Sequence, residues 1–168
     1  MTSAADGPGD GPGDDDAARR VAAALAVNDA LGRVLRWAGR GDVRRDLLGP
    51  AGAELTLTDS WLLTAVHDRQ PVRASDLATW QGVDRSTITT QVRRLEDRGL
   101  VARTPEPGDR RAFALTLTPR GAQVHRRITL AGATVLDRAL AGWDPAAREA
   151  LAAALGRLAE GLEHRDGP

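Results

Sequence analysis

The sequence predicts a mainly α protein with one small β-hairpin, and three observations carry that prediction. Apolar residues recur at helical spacing through most of the chain, two short helical patterns abut across a single glycine, and two short arms with strand character flank a Pro-Gly loop. Composition agrees: Ala and Leu dominate the apolar set and aromatics make up only 3% of 168 residues, which suits helices better than an extended sheet. A chain of this length can bury one core and an association surface, but hardly two independent domains.

Residues 1–16 are almost wholly Asp, Gly, Pro, Ala, Ser and Thr, with GPGD occurring twice, and should form a disordered acidic arm because they bury too little apolar surface to offset ordering entropy. A helix is expected over 17–38, where Val21, Leu25, Leu31, Val34, Leu35 and Ala38 recur at spacings of three, four and seven. Gly39, Gly41, Gly49, Pro50 and Gly52 then limit 43–48 to a turn or two, so 17–54 reads as a helix plus a connection. Thr58 is the expected cap of a helix carrying Trp61, Leu62, Ala65 and Val66 and ending before Pro71.

The next two helices hold the strongest signal. The first, over 74–81, should bury Leu77, Ala78 and Trp80; Gly82 makes the turn, Val83 fills the angle, and Asp84 caps a second helix over 85–98 that Gly99 stops. Ile88, Val92 and Leu95 form the apolar seam of that second helix, which turns Thr87, Thr90, Gln91 and Arg94 towards solvent. Strands are expected over 100–104 and 111–117, with Phe113, Leu115 and Leu117 half-buried and a tight loop over 105–109. Thr118-Pro119 and Asp144-Pro145 are cap-plus-proline signals for two long helices. Their stripes, Val124, Ile128, Ala131, Val135 and then Leu151, Leu155, Leu158, Leu162, need a partner surface, which the helix over 17–38 could supply within one chain or across a dimer.

Charge and composition exclude several classes of function. Cys is absent, so disulfides, thiolate metal sites and thiol switches fall away. No apolar run approaches the roughly 18 residues of a membrane span, and the start has no signal-peptide pattern, so a soluble cytoplasmic protein is expected. The formal charge is zero, yet five acids lie in 1–16 while all 23 basic residues lie beyond it against 18 acids. The remainder is therefore net basic, and every basic residue is Arg, which suits phosphate and base-edge contacts. No activated constellation for catalysis emerges among His67 beside Asp68, His125 beside Arg126 and Arg127, and His164 in the tail. A metal on His67 with Asp68 or His125 is the rival to isolated surface imidazoles, and the expectation is no enzyme, no cofactor and no metal.

A helix, a glycine turn and a second helix with a polar outer face form a helix-turn-helix, and a major groove about 12 Å wide admits one such helix. The groups that reach base edges and phosphates here are Arg85, Ser86, Thr87, Thr90, Gln91 and Arg94. The hairpin that follows bears Asp109, Arg110 and Arg111, and an arginine-tipped hairpin can enter the adjacent narrow minor groove. Duplex DNA is the expected partner. Trp37, Trp61 and Trp80 are candidates for lining a ligand cavity, weighed against plain core packing.

The segment 55–121 resembles the MarR family of winged-helix regulators. The likeness lies in LTLTDSWLLTAV, in DLATWQGVDRSTITTQVRRLEDRGLVAR, and in GDRRAFALTLTPRGAQV, above all in Asp109-Arg110-Arg111 followed by Leu115, Thr116, Leu117 and Thr118. The resemblance implies a winged helix-turn-helix DNA-binding domain over 55–118, flanked by dimerisation helices in 17–54 and 119–164. It further implies a homodimer on a pseudo-palindromic operator, a recognition helix over 85–98, a wing aspartate at Asp109 and a wing arginine at Arg111. Repression relieved by a small aromatic or amphipathic effector belongs to the same implication. The chain departs from the family pattern at Thr90, where a basic residue is common, and in its long 39–52 connection. The rival class is a winged-helix module that binds protein; Arg85, Arg94, Arg110 and Arg111 favour DNA.

Overall fold

The computed structural model describes residues 12–106 and 109–163, with side chains over 15–105 and 113–162. No helix among them is long and apolar enough to cross a membrane. Contacts divide the chain into two units, Met1–Arg44 and Arg45–Pro168. The first contains α1 (Pro12–Ala38) and the start of α2 (Gly41–Leu48). The helix thus begins at Pro12, five residues before its expected start at residue 17, while 1–11 lie outside the described residues. A proline and then acids suit a first turn, because proline needs no amide partner there and carboxylates favour the positive end of the helix dipole. Asp16 goes on to pair with Arg20 one turn along.

The second unit is a mainly helical body on a small antiparallel sheet. After α2 come a single 3-10 turn (Pro50–Gly52), α3 (Leu57–Arg69), β1 (Val72–Arg73), α4 (Ala74–Gln81), α5 (Arg85–Asp97), β2 (Val101–Glu106), β3 (Asp109–Leu117), α6 (Pro119–Ala139) and α7 (Pro145–Glu163). The sheet order is β1-β3-β2, with Val72 opposite Leu115, Val101 opposite Leu117, and an irregularity between Pro105 and Glu106. The two-residue β1 was not foreseen, because it is too short to show alternation; Gln70 adjoins it by accepting the Leu117 amide at 2.8 Å.

The core gathers Leu62, Leu63 and Val66 of α3, Leu77 of α4, Ile88, Val92 and Leu95 of α5, and Leu100, Val101 and Leu115 of the hairpin. The α5 seam is fully inside, at 0–1% exposure, so this helix is held by side-chain burial along one stripe. Gly82 (φ 63°) and Gly99 (φ 65°) occupy the left-handed region after α4 and α5, as their placement in the sequence predicted.

Several local expectations are corrected. Thr56, not Thr58, caps α3: its hydroxyl accepts the Asp59 amide and the Asp59 carboxylate accepts the Thr56 amide, both at 3.0 Å. Trp80 is 42% exposed, because the inner stripe of α4 is Leu77 and Ala78, and its ring lies under the Arg69 guanidinium at 4.4 Å. Val83 is exposed and borders an open cleft between α4 and α5. Asp84 stands at the start of α5, yet its side chain makes no capping hydrogen bond. Phe113 is 44% exposed, whereas Ala114 and Leu115 are both buried.

The α5–β2–α6 junction is tight. Thr118 accepts the Gly121 amide at 2.9 Å and donates to the Gly99 carbonyl at 2.7 Å, tying the start of α6 to the end of α5. A Cβ on Gly121 would lie 1.9 Å from the Leu100 carbonyl oxygen. Gly121→Ala should therefore cost on the order of 2–4 kcal/mol in urea unfolding. Gly156→Ala in α7, where a Cβ meets open space, should stabilise by up to about 1 kcal/mol. Equal effects at the two positions would refute the steric account.

Candidate nucleic-acid interface

Burial of Ile88, Val92 and Leu95 leaves Arg85, Ser86, Thr87, Thr89, Thr90 and Arg93 of α5 exposed. The expected face is thus present over Arg85, Ser86, Thr87 and Thr90, and it extends to Thr89 and Arg93, which the sequence reading passed over. The Arg85, Thr89, Arg93 spacing of four was the signal that could have found them. Thr89 and Thr90 spend their hydroxyl protons on the carbonyls of Arg85 (2.7 Å) and Ser86 (3.0 Å). They present methyl groups and acceptor lone pairs to whatever approaches.

Gln91 and Arg94 are less free than their helical phase suggested. The Gln91 Oε1 is buried with no hydrogen-bond partner among the described residues. Arg94 donates to the Asp59 carboxylate of α3 at 2.9 Å. Asp59 is 1% exposed, and a carboxylate taken out of water needs the partners it has here, the Thr56 amide and this guanidinium. Arg94 side-chain exposure is 44%, so one edge of the group still meets solvent. Its first task is to neutralise Asp59 and hold α5 in register on α3.

The hairpin after α5 carries Asp109, Arg110 and Arg111 at the start of β3, with Asp109 opposite Glu106; their side chains lie outside the described residues. Closer to the body, Arg73 of β1, Arg85 of α5 and Arg103 of β2 line one cavity of about 400 Å³ together with Ser75, Thr89 and Phe113. Arg73, Ser75, Arg103 and Phe113 were not among the sequence candidates, since only the tertiary fold brings β1 beside the hairpin.

The three tryptophans are each partly exposed. Trp37 belongs to the first unit and is 37% exposed, while Trp61 and Trp80 of the second are 57% and 42% exposed. A cavity of about 670 Å³ in the second unit is lined by His67 of α3 and by Gln123, His125, Arg126, Thr129 and Leu130 of α6, among others. The two imidazoles stack with centroids 4.2 Å apart and ring planes 21° from parallel, and His67 Nδ1 lies 2.9 Å from an Asp68 oxygen. Among the described residues no three imidazoles or carboxylates converge on a point that could hold a metal. His164 lies outside the described residues.

Comparison with known proteins follows the same outline. The model of the MarR family matches residues 55–113. The HTH-type transcriptional repressor NicR of Pseudomonas putida is 33% identical over 96 residues, 57% of this chain and 61% of that protein. A Thauera aromatica protein named for the hcr operon is 39% identical over 67 residues, 40% of each chain. The chain thus spans less than two thirds of either relative. Among solved structures, MarR superposes with TM-score 0.68 at 26% identity, covering 82% of this chain and 91% of that one. RV1404 from Mycobacterium tuberculosis gives 0.66 at 27%, covering 82% and 92%. FabT of Streptococcus pneumoniae, solved in complex with DNA, shares the fold at 20% identity, with TM-score 0.67 over 83% and 97%.

Two outcomes test this geometry. Arg94→Ala strands the Asp59 carboxylate and should cost about 1–3 kcal/mol in urea unfolding, the lower part of that range if water reaches the vacated edge. Arg93→Ala, on the open face, should stay within about 0.5 kcal/mol; the reverse order would show that the pair does not carry the helix. His125 is held below its ordinary value of 6.5 by partial burial and then by the charge of His67. The native state therefore binds fewer protons than the unfolded chain as pH falls below about 6.5. Stability is unaffected by this group above that range, declines as pH falls through it, and levels off below the lowered native value. Thermal melts between about pH 5 and about pH 8 should show a shallower decline for His125→Gln than for the native chain. An unchanged profile would assign the decline to other groups.

Proposed function

Since this chain belongs to the MarR family of winged-helix transcriptional regulators, we propose that it binds a pseudo-palindromic duplex as a homodimer and represses transcription. The observation that carries the reading is α5, a helix pinned by a fully buried seam that offers Arg85, Ser86, Thr87, Thr89, Thr90 and Arg93 on one open face, followed directly by a hairpin bearing Asp109, Arg110 and Arg111. Such a helix fits a major groove and such a hairpin reaches the neighbouring minor groove. Arg85 suits guanine, Thr87 and Thr90 offer methyls to thymine, and Gln91 suits adenine once its amide turns outward. Arg94 contacts DNA only with the edge that Asp59 leaves free. Arg111 is the proposed minor-groove probe, with Arg110 on phosphate and Asp109 orienting the tip.

The name of NicR supports the repressor direction. Exposed Leu25, Val34 and Leu35 of α1, and Leu130, Leu136, Trp143, Leu155 and Leu162 of α6 and the region through α7, support a second copy as the partner that covers apolar surface. We place an effector, by the same reading, in the cavity beside His67 and His125 rather than at Trp37, Trp61 and Trp80, because imidazole and guanidinium donors there converge next to Leu130. A regulator of this kind works in the cytoplasm beside the chromosome.

Selection of duplexes from a random library should return a near-palindrome with half-sites roughly 34–36 Å apart, and sedimentation should give twice the chain mass. Arg85→Ala and Gln91→Ala should each relax base preference by about 1–3 kcal/mol at one position. Binding to every duplex with equal strength, or a monomer on DNA, would contradict the proposal.

A further inference from the structure

A protein that sets a helix in one groove and a hairpin in the next must let the sugar-phosphate ridge between those grooves pass across the surface joining them. Here that surface has a shape. Between the first two turns of α5 and the base of the β2–β3 hairpin lies the cavity of about 400 Å³ that collects guanidinium groups from three separate elements, Arg73, Arg85 and Arg103. No described acidic side chain lines it. Two acids beside its lining residues are engaged: Glu96 accepts the Arg103 Nε proton at 2.7 Å, and Asp76 accepts the Ser75 hydroxyl at 3.2 Å. The Glu96 bond holds the Arg103 guanidinium through Nε, and the two terminal NH2 groups of a guanidinium form a pair of parallel donors, the geometry that matches two phosphate oxygens.

Phe113 borders the same cavity and is 44% exposed, the one phenylalanine of the chain. A purely ionic seat for a small anion gains nothing from an aromatic wall. A phosphodiester, whose charge comes with an apolar sugar face attached, does.

We propose that this cavity seats one phosphodiester of the ridge between the two occupied grooves, with Arg73 and Arg103 on its oxygens, Arg85 bridging towards the major groove, and the Phe113 ring against the adjoining deoxyribose. The proposal rests on the DNA-binding reading above and adds the residues that set register between helix and wing. Because the contact is to backbone, it contributes affinity for every sequence and selects none. Its ionic part releases counterions, and its aromatic part does not.

The test measures fluorescence anisotropy of the full chain on its selected duplex and on a scrambled duplex, across salt from about 0.05 to about 0.3 M. Arg103→Gln and Arg73→Gln should each weaken binding to both duplexes by the same factor and reduce the log K against log salt slope by about one. Arg103→Lys, which keeps the charge, should recover the slope and lose part of the affinity. Phe113→Ala should weaken binding several-fold at unchanged slope, with Phe113→Leu recovering most of it. Melting curves confirm that each variant is folded, and the Lys and Leu variants carry the test if Gln or Ala does not fold. Slopes unaltered by both arginine changes, or an altered sequence preference on repeat selection, would overturn the seat. A native chain that selects no duplex and shows no salt-dependent binding would overturn the DNA reading itself, a different result from native binding that the variants leave intact.

Discussion

One buried carboxylate organises the exposed face of α5. Asp59 closes the first turn of α3 by accepting the Thr56 amide and, from 1% exposure, also takes the Arg94 guanidinium 35 residues later. A charge in that position is costly unless its lone pairs are filled, so α5 can pack on α3 in few ways that satisfy it. Arg98 adds a second tie at the end of α5 by donating to the Glu54 carbonyl at 3.2 Å. Apolar packing by Ile88, Val92 and Leu95 tolerates small slides along the seam, whereas a hydrogen-bonded ion pair does not. The rotation and height of α5, and with them which residues face outward, follow from this pair more than from the seam. Replacing the pair with apolar residues of equal volume could leave stability unchanged while loosening that register.

What was legible in the sequence is what depends on neighbours a few residues away. The boundaries of α4 and α5, the left-handed Gly82 and Gly99, the buried stripe of α5, and the caps at Thr118 and Asp144 all rest on spacing and short-range hydrogen bonds. The fold class and most of the outward face followed from these. What was not legible depends on distant partners. Arg94 counts as a surface arginine until Asp59 is placed beside it, and Trp80 counts as core until Arg69 is found over its ring. β1 exists because Val72 and Arg73 meet Leu115 and Ala114, and nothing within two residues of chain could announce that. The misplaced cap of α3 is a different failure: Thr56-x-x-Asp59 is a reciprocal cap pattern with a short acid in the place of the usual longer one, and it was readable.

The start of the chain bears on how the basic surface is used. Asp14, Asp15 and Asp16 were counted with a solvated acidic arm, but the backbone places all three in the opening turns of α1. There they favour the helix dipole, and Asp16 already has Arg20 as a partner. An arm that competes with DNA for arginines needs charges free to travel. The acidic residues are better understood as the electrostatic complement of their own helix.

The junction at Leu100 determines how any rearrangement of α6 would reach the interface. Gly121 packs so close to the Leu100 carbonyl that even a methyl group has no room, and Thr118 is bonded to both flanking segments. A contact without slack transmits displacement instead of absorbing it. The first turn of α6, the end of α5 and the beginning of β2 are therefore locked together by contact. On the α3 side, His67 stacks on His125 of α6 beside an open cavity, and Val124 and Ile128 pack against the core. Since α5 is also held to α3 through Asp59 and Arg94, the same helix is tied at both ends of its packing, by an ion pair to α3 and by the close Leu100–Gly121 approach to α6.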